Sequence, residues 1–229
     1  MDETLLTALA LIPALVIAIV FHEVAHGWTA LMLGDPTAKE RKRLSLNPIR
    51  HVDPVGTLLV PGILLVSQLA TMGQVQTMFG WAKPVPVVSQ RLRNPRYHMI
   101  LVALAGPGMN LLLALVAALS FTALVAMAPL RWFGEFVAQN LLNFIVINVF
   151  LAVFNLIPLP PFDGGHVVEG LLPRRLAVQY AKLRRFGFLL LIILLLVVPM
   201  LFPNADIVER TIGPPVNWIL RALLPNSVV

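Results

Sequence analysis

Residues 21–28 read FHEVAHGW and place His22, Glu23 and His26 in the pattern His-Glu-x-x-His. On a helix, positions i and i+4 share one face, so the two imidazoles can take hold of one metal ion together. Glu23 sits one position on, beside that face, where it can reach a water on the metal without becoming a ligand. Zinc lowers the pKa of such a water toward ~7, and a neighbouring carboxylate can take its proton. The spacing therefore offers two ligands and one general base. A surface helix can carry His and Glu for no chemical reason, and a structural polar cluster between helices is the plain alternative. The run before the motif, LLTALALIPALVIAIV, contains no charged residue. A glutamate at the end of such a run needs a partner, because burying it is costly.

A hydrolytic zinc site needs a third protein ligand and an open fourth position. The chain has no cysteine, which leaves carboxylates and histidines. Asp163 stands out in NLIPLPPFDGGHVVEG (155–170), where prolines precede it and two glycines follow. A Pro-rich break followed by Asp-Gly-Gly fits unwound backbone opening into a new helix. Such backbone at the membrane edge should line a cavity. The eight residues from His26 to Gly34 correspond to ~12 Å of helix, so Asp163 can meet the histidines if its segment folds back inward. His166 would share a helix face with Asp163. A fourth protein ligand would close the site, so His166 reads as a supporting partner. His51 reads as part of a capped turn and His98 as interfacial.

The elements that must position these residues are apolar. Of 229 residues, 58% are hydrophobic and 12% charged, about half the charge of an average soluble domain, roughly 25%. Four spans stand out, near Leu5–Leu33, Tyr97–Met127, Phe136–Ile157 and Phe186–Phe202, each near the ~20 residues that cross ~30 Å of hydrocarbon. The acidic start and the missing cleavage site make the first span a retained helix rather than a leader. A fifth stretch, residues 55–73, is broken by Pro61 and Gly62 and flanked on both sides by basic segments. Re-entry keeps both segments on one face, as the positive-inside rule favours. All 17 Lys and Arg except Arg131, Arg210 and Arg221 then lie in the cytoplasm. Those basic residues sit in short loops, so anionic headgroups rather than nucleic acid are the expected partner of the +6 net charge. Residues 206–224 suit an amphipathic helix, interfacial or packing. The expected fold is an all-α polytopic membrane protein. It has about four to six transmembrane helices, a re-entrant loop and a small β-element, in one domain over residues 1–229 with its core motifs in 20–170.

HEVAH in the first helix and NLIPLPPFDGG after a later one resemble the site-2 protease family of intramembrane zinc metalloproteases. The family's second motif, Asn-x-x-Pro-x-Pro-x-x-Asp-Gly, is matched by residues 155–164. GDPTAKERKRLSLNPIRHVDPVGTLLVP, FGWAKPVPV and AGPGMN are similar to its compact prokaryotic branch. The resemblance implies one zinc ion held by His22, His26 and Asp163. It implies Glu23 as general base and then acid to the leaving amine, and Asn155 at the scissile carbonyl oxygen. Asn110 becomes a candidate for a structural or substrate-contacting role. The family cuts transmembrane segments of other proteins, so the implied partners are a transmembrane substrate and the bilayer. The implied place is a prokaryotic cell membrane, with the active site nearer the cytoplasmic face. Neither a PDZ nor a CBS domain is seen in the sequence. A substrate helix must unwind to be cut, and strand addition to a sheet edge would hold it. The re-entrant stretch and residues 80–89, with Pro84, Val85 and Pro86, are the candidate edges; for 80–89 a plain connecting loop is the alternative.

Two other classes could use the same cluster. A metal transporter would carry polar residues along several spans, and the second and fourth have few. A catalytically dead scaffold would be expected to have lost the base, and Glu23 is present.

Overall fold

A computed structural model of the chain describes residues 3–60, 62–63, 66–67, 82–127, 132–193, 198 and 207–225. Three helices carry the architecture: α1 (Glu3–Met32), α3 (Pro95–Met127) and α4 (Trp132–Asn155), with the short α2 (Thr37–Glu40) after the first. Each long helix contains a segment apolar and long enough to cross a membrane, namely Leu11–Met32, Pro95–Ala126 and Gly134–Asn155. Among the described residues, the α-helices α5 (Asp163–Leu171), α6 (Arg174–Ala181), α7 (Gly187–Ile192) and α8 (Ile207–Leu223) follow. Much of the expected fourth span lies outside the described residues, as do residues 61, 64–65 and 68–73 of the 55–73 stretch, and Arg131.

Small side chains let the helices approach. Ala114, Ala117 and Ala118 of α3 are buried against Ile145 and Val149 of α4. In lipid, where apolar surface gains nothing by leaving the tails, such close backbone approach is what favours helix pairing. The opposite side of α3 keeps Leu101, Leu104, Leu112, Leu115 and Leu119 exposed, a stripe at helical spacing suited to acyl chains. The tail helix α8 packs Ile212 and Val216 into the α3–α4 core and leaves Trp218 exposed.

Among the described residues there is no strand. Of the candidate edge at 80–89, the described part is an extended run over residues 82–88, pinned at separate points. Lys83 donates its backbone N–H to the His51 carbonyl at 2.8 Å. Val85 donates to Glu23 Oε2 at 2.7 Å, and Val88 donates to Asp35 Oδ2 at 2.6 Å. Pro84 and Pro86 have no N–H to give, so the remaining donors go to individual acceptors rather than into a ladder. The buried Asp35 side chain also accepts from the Thr37 N–H at 3.0 Å and from the Thr37 hydroxyl. It thus ties the turn after α1 to the extended run. That turn begins at Gly34, whose φ of +111° is the left-handed geometry that commonly ends a helix at glycine.

Candidate metal centre

His22 and His26 lie on the same face of α1, with their Nε2 atoms 3.0 Å apart. Asp163, the first residue of α5, completes a triangle: its Oδ2 stands 3.2 Å from His22 Nε2 and 3.3 Å from His26 Nε2. The loop between α4 and α5 makes the return. Leu159 N–H bonds the Ile157 carbonyl at 2.8 Å, and Phe162 N–H bonds the Leu159 carbonyl at 3.0 Å. The glycines after Asp163 let α5 press onto this loop. A Cβ on Gly164 would lie 2.3 Å from the Leu156 carbonyl oxygen, a distance no side chain tolerates.

The buried hydrogen bonds fix which nitrogens face the centre. His26 Nδ1 lies 2.7 Å from the Val102 carbonyl, which can only accept, so Nδ1 carries the proton and donates. For His22 the chain of bonds is longer. Asn148 Nδ2 donates to the Phe144 carbonyl at 2.8 Å, which turns Asn148 Oδ1 toward Asn110. Asn110 Nδ2 donates to that oxygen at 2.8 Å, and to the Ala18 carbonyl at 3.3 Å. Asn110 Oδ1 is left to accept from His22 Nδ1 at 2.6 Å. A backbone carbonyl therefore settles both amide orientations and, through them, the tautomer. In the neutral form, each imidazole then turns a bare Nε2 lone pair toward Asp163.

In that form three acceptors converge, with Asp163 Oδ2 a buried oxygen that no donor outside the triangle reaches. This is the electronic arrangement a cation requires. Zinc bonds of about 2.0–2.1 Å in a tetrahedron put ligand atoms roughly 3.3 Å apart; the observed separations of 3.0, 3.2 and 3.3 Å fit that geometry. Among the described residues, this is the cluster of His and acidic side chains able to hold a metal.

Room for the centre comes from α3. A Cβ on Gly106 would lie 2.4 Å from His26 Nε2 and 2.6 Å from His22 Cε1, so only glycine lets α3 pass the two rings. The sequence motif holding Gly106 ends in Asn110, one helical turn on. Asn110 is fully buried behind His22, a place suited to orienting the ring and not to touching substrate. Glu23, partly buried, holds the Val85 N–H rather than joining the triangle. Asn155 is the last residue of α4, and its amide nitrogen donates to the Leu151 carbonyl at 2.9 Å. Sequence reasoning did not single out Asn148, Gly106 or Asp35. Asn148 had a signal, being an amide inside an apolar span, where polar side chains mark function by default.

Residues 125–198 match the profile of Peptidase family M50, a segment that holds Asn155 and Asp163. The chain is similar to YwhC of Bacillus subtilis, which bears the name of a zinc metalloprotease, at 37% identity over 85% of each chain. It is also similar to Rip2 of Mycolicibacterium smegmatis, again with a zinc metalloprotease name, at 28% identity over 76% of this chain and 62% of that one. A shorter likeness, 40% over 30% of this chain and 32% of the other, links it to MJ0611 of Methanocaldococcus jannaschii. No solved structure matches the chain significantly. With long membrane-crossing helices, a histidine–aspartate triangle fitted to zinc, and a 37% identical relative over 85% of the chain, the protein belongs to Peptidase family M50, the site-2 proteases, and is an integral-membrane zinc metalloprotease.

Proposed function

We propose that this protease cleaves a peptide bond in or near a transmembrane segment of a membrane-protein substrate, as a step of regulated intramembrane proteolysis. The observation that carries the reading is the depth of the ligands. His22 and His26 lie inside the membrane-crossing segment Leu11–Met32, and His26 is six residues, or ~9 Å, from its end. A scissile bond must come to that depth to be cut. By the distribution of basic loops, the near face is the cytoplasmic side of a prokaryotic cell membrane.

His22, His26 and Asp163 would hold the ion. Zinc, when bound, supplies Lewis acidity, acidifying a coordinated water and polarising the scissile carbonyl. Glu23 takes the proton of the attacking water and returns it to the leaving amine. Asn155 donates to the carbonyl oxygen as negative charge develops there; its amide nitrogen has two N–H groups, of which the bond to the Leu151 carbonyl takes one. Asn110 positions His22 by accepting from its Nδ1. Pro84, Val85 and Pro86 offer an extended backbone beside Glu23, along which an unwound substrate can lie. One domain spanning residues 1–229 performs all of this.

The test uses the zinc-loaded protein in vesicles with a reporter whose only long apolar segment is transmembrane. Cleavage is expected within or beside that segment, abolished by zinc chelation and by Glu23→Gln. Cleavage confined to soluble loops far from the bilayer would defeat the proposal.

A further inference from the structure

Beside the metal centre lies a cavity of about 430 Å³ that the proposed chemistry does not use, walled by α3, α5, α6 and the end of the extended run. Arg96, Arg174 and Arg184 line it, with His166 and a lone acid, Glu169. Glu169 is already paired with Arg184. Arg96 is partly engaged: its Nε donates to the Gly170 carbonyl at 2.8 Å and its Nη2 to the Leu172 carbonyl at 2.5 Å. Arg174 has neither an ion pair nor a hydrogen bond among the described residues. The cavity is therefore cationic in net terms, and one guanidinium in it is uncommitted. Burial first, and then the Arg184 charge, hold His166 below its ordinary pKa, so at neutral pH it can donate or accept a hydrogen bond.

Position within the fold narrows the ligand. Arg96 is in the first turn of α3, a helix of 33 residues. At 1.5 Å per residue that helix is about 50 Å long, against ~30 Å of hydrocarbon, so its first turn falls at the level of the lipid headgroups. The remaining wall includes the apolar Val87, Met99 and Val178. A cationic floor with an apolar flank, at headgroup level, matches a phosphate ester joined to acyl chains, and the volume lies in the usual range of ligand sites, about 300–1,000 Å³. We propose that this cavity binds the headgroup of an anionic phospholipid. The occupant would bear on α5, the helix that carries Asp163 into the metal centre.

Phosphatidylglycerol, phosphatidylcholine, glycerol 3-phosphate, inorganic phosphate and an acidic peptide can each be titrated against the zinc-loaded full chain in a non-ionic detergent, with bound ligand read by native mass spectrometry. Phosphatidylglycerol is expected to bind tightest. Arg174→Gln should weaken it about fivefold, the effect of removing one basic residue near a membrane surface. Val178→Glu, on an exposed wall position, should weaken it further without touching the fold, and Arg175→Gln, outside the cavity, should change nothing. Equal binding of the zwitterionic lipid, or indifference to both Arg174→Gln and Val178→Glu, would overturn the proposal. So would a soluble phosphate that binds as well as the lipid, or an acidic peptide that outcompetes it.

Discussion

The backbone N–H of Val85 is bonded to the carboxylate of Glu23 at 2.7 Å, across a separation of 62 residues. The acid assigned the proton-transfer role is thus also the anchor of the extended run 82–88, and the two roles can be separated by substitution. Glu23→Gln keeps an acceptor for Val85 but no longer takes a proton. Cleavage should fall by about 10²–10⁴-fold while zinc content, measured by elemental analysis, stays near one per chain. Glu23→Ala removes the acceptor as well and should lower thermal stability in addition. Zinc-loaded Glu23→Gln cutting at the wild-type rate would contradict the mechanism.

The amide pair behind His22 should govern how firmly zinc is held. Asn110→Ala leaves His22 Nδ1 without its carbonyl acceptor and frees the tautomer. Asn148→Leu acts one bond further back, by releasing Asn110. Losses of about 10–100-fold in zinc affinity are typical when such partners are removed, with Asn110→Ala the larger. Competition with a chelator of known affinity measures both. Affinity unchanged in both variants would remove the positioning role.

Gly106 and Gly108 make a matched pair on α3. A methyl on Gly106 would meet the His26 ring at 2.4 Å, whereas one on Gly108 meets nothing within 4 Å. Gly106→Ala should lose zinc and activity, with a packing cost of about 1–3 kcal/mol. Gly108→Ala should retain both. Zinc content and melting temperature of the two purified proteins decide the matter, and equal behaviour would show that α3 does not confine the rings.

Asp35 gives a pH signature outside the membrane spans. Burial pushes its carboxyl upward, but hydrogen bonds from Thr37 and Val88 and the charge of Arg91 outweigh that and hold it below its usual value of 3.8. A carboxyl lowered on folding contributes stability above its unfolded pKa and loses it as pH falls through the folded value. Wild-type melting temperature should therefore begin to drop below about pH 4, and Asp35→Asn should drop less steeply. At neutral pH, Asp35→Ala strands the Val88 and Thr37 N–H groups and should cost about 1–3 kcal/mol. Parallel pH slopes for wild type and Asp35→Asn would count against this account.

Much of the chemistry was legible along the chain. The i, i+4 spacing of His22 and His26 is a property of any helix, so one shared face followed from the sequence once the apolar run made that helix certain. Asp163 could be picked out because a carboxylate among prolines and glycines after a span has few other uses. The long helices followed from hydropathy, since lipid leaves the backbone no other way to satisfy its own hydrogen bonds. Tertiary structure alone decided what stands behind and beside these groups. Asn148 and Gly106 act through distances to another helix, and no periodicity encodes which faces of α1, α3 and α4 meet. The proline pattern of residues 80–89 suited a sheet edge or a plain loop alike, and the acceptors that fixed 82–88 were Glu23, Asp35 and His51, far away in sequence. Local spacing sets what a segment can offer, and packing between distant segments sets which offer is taken up.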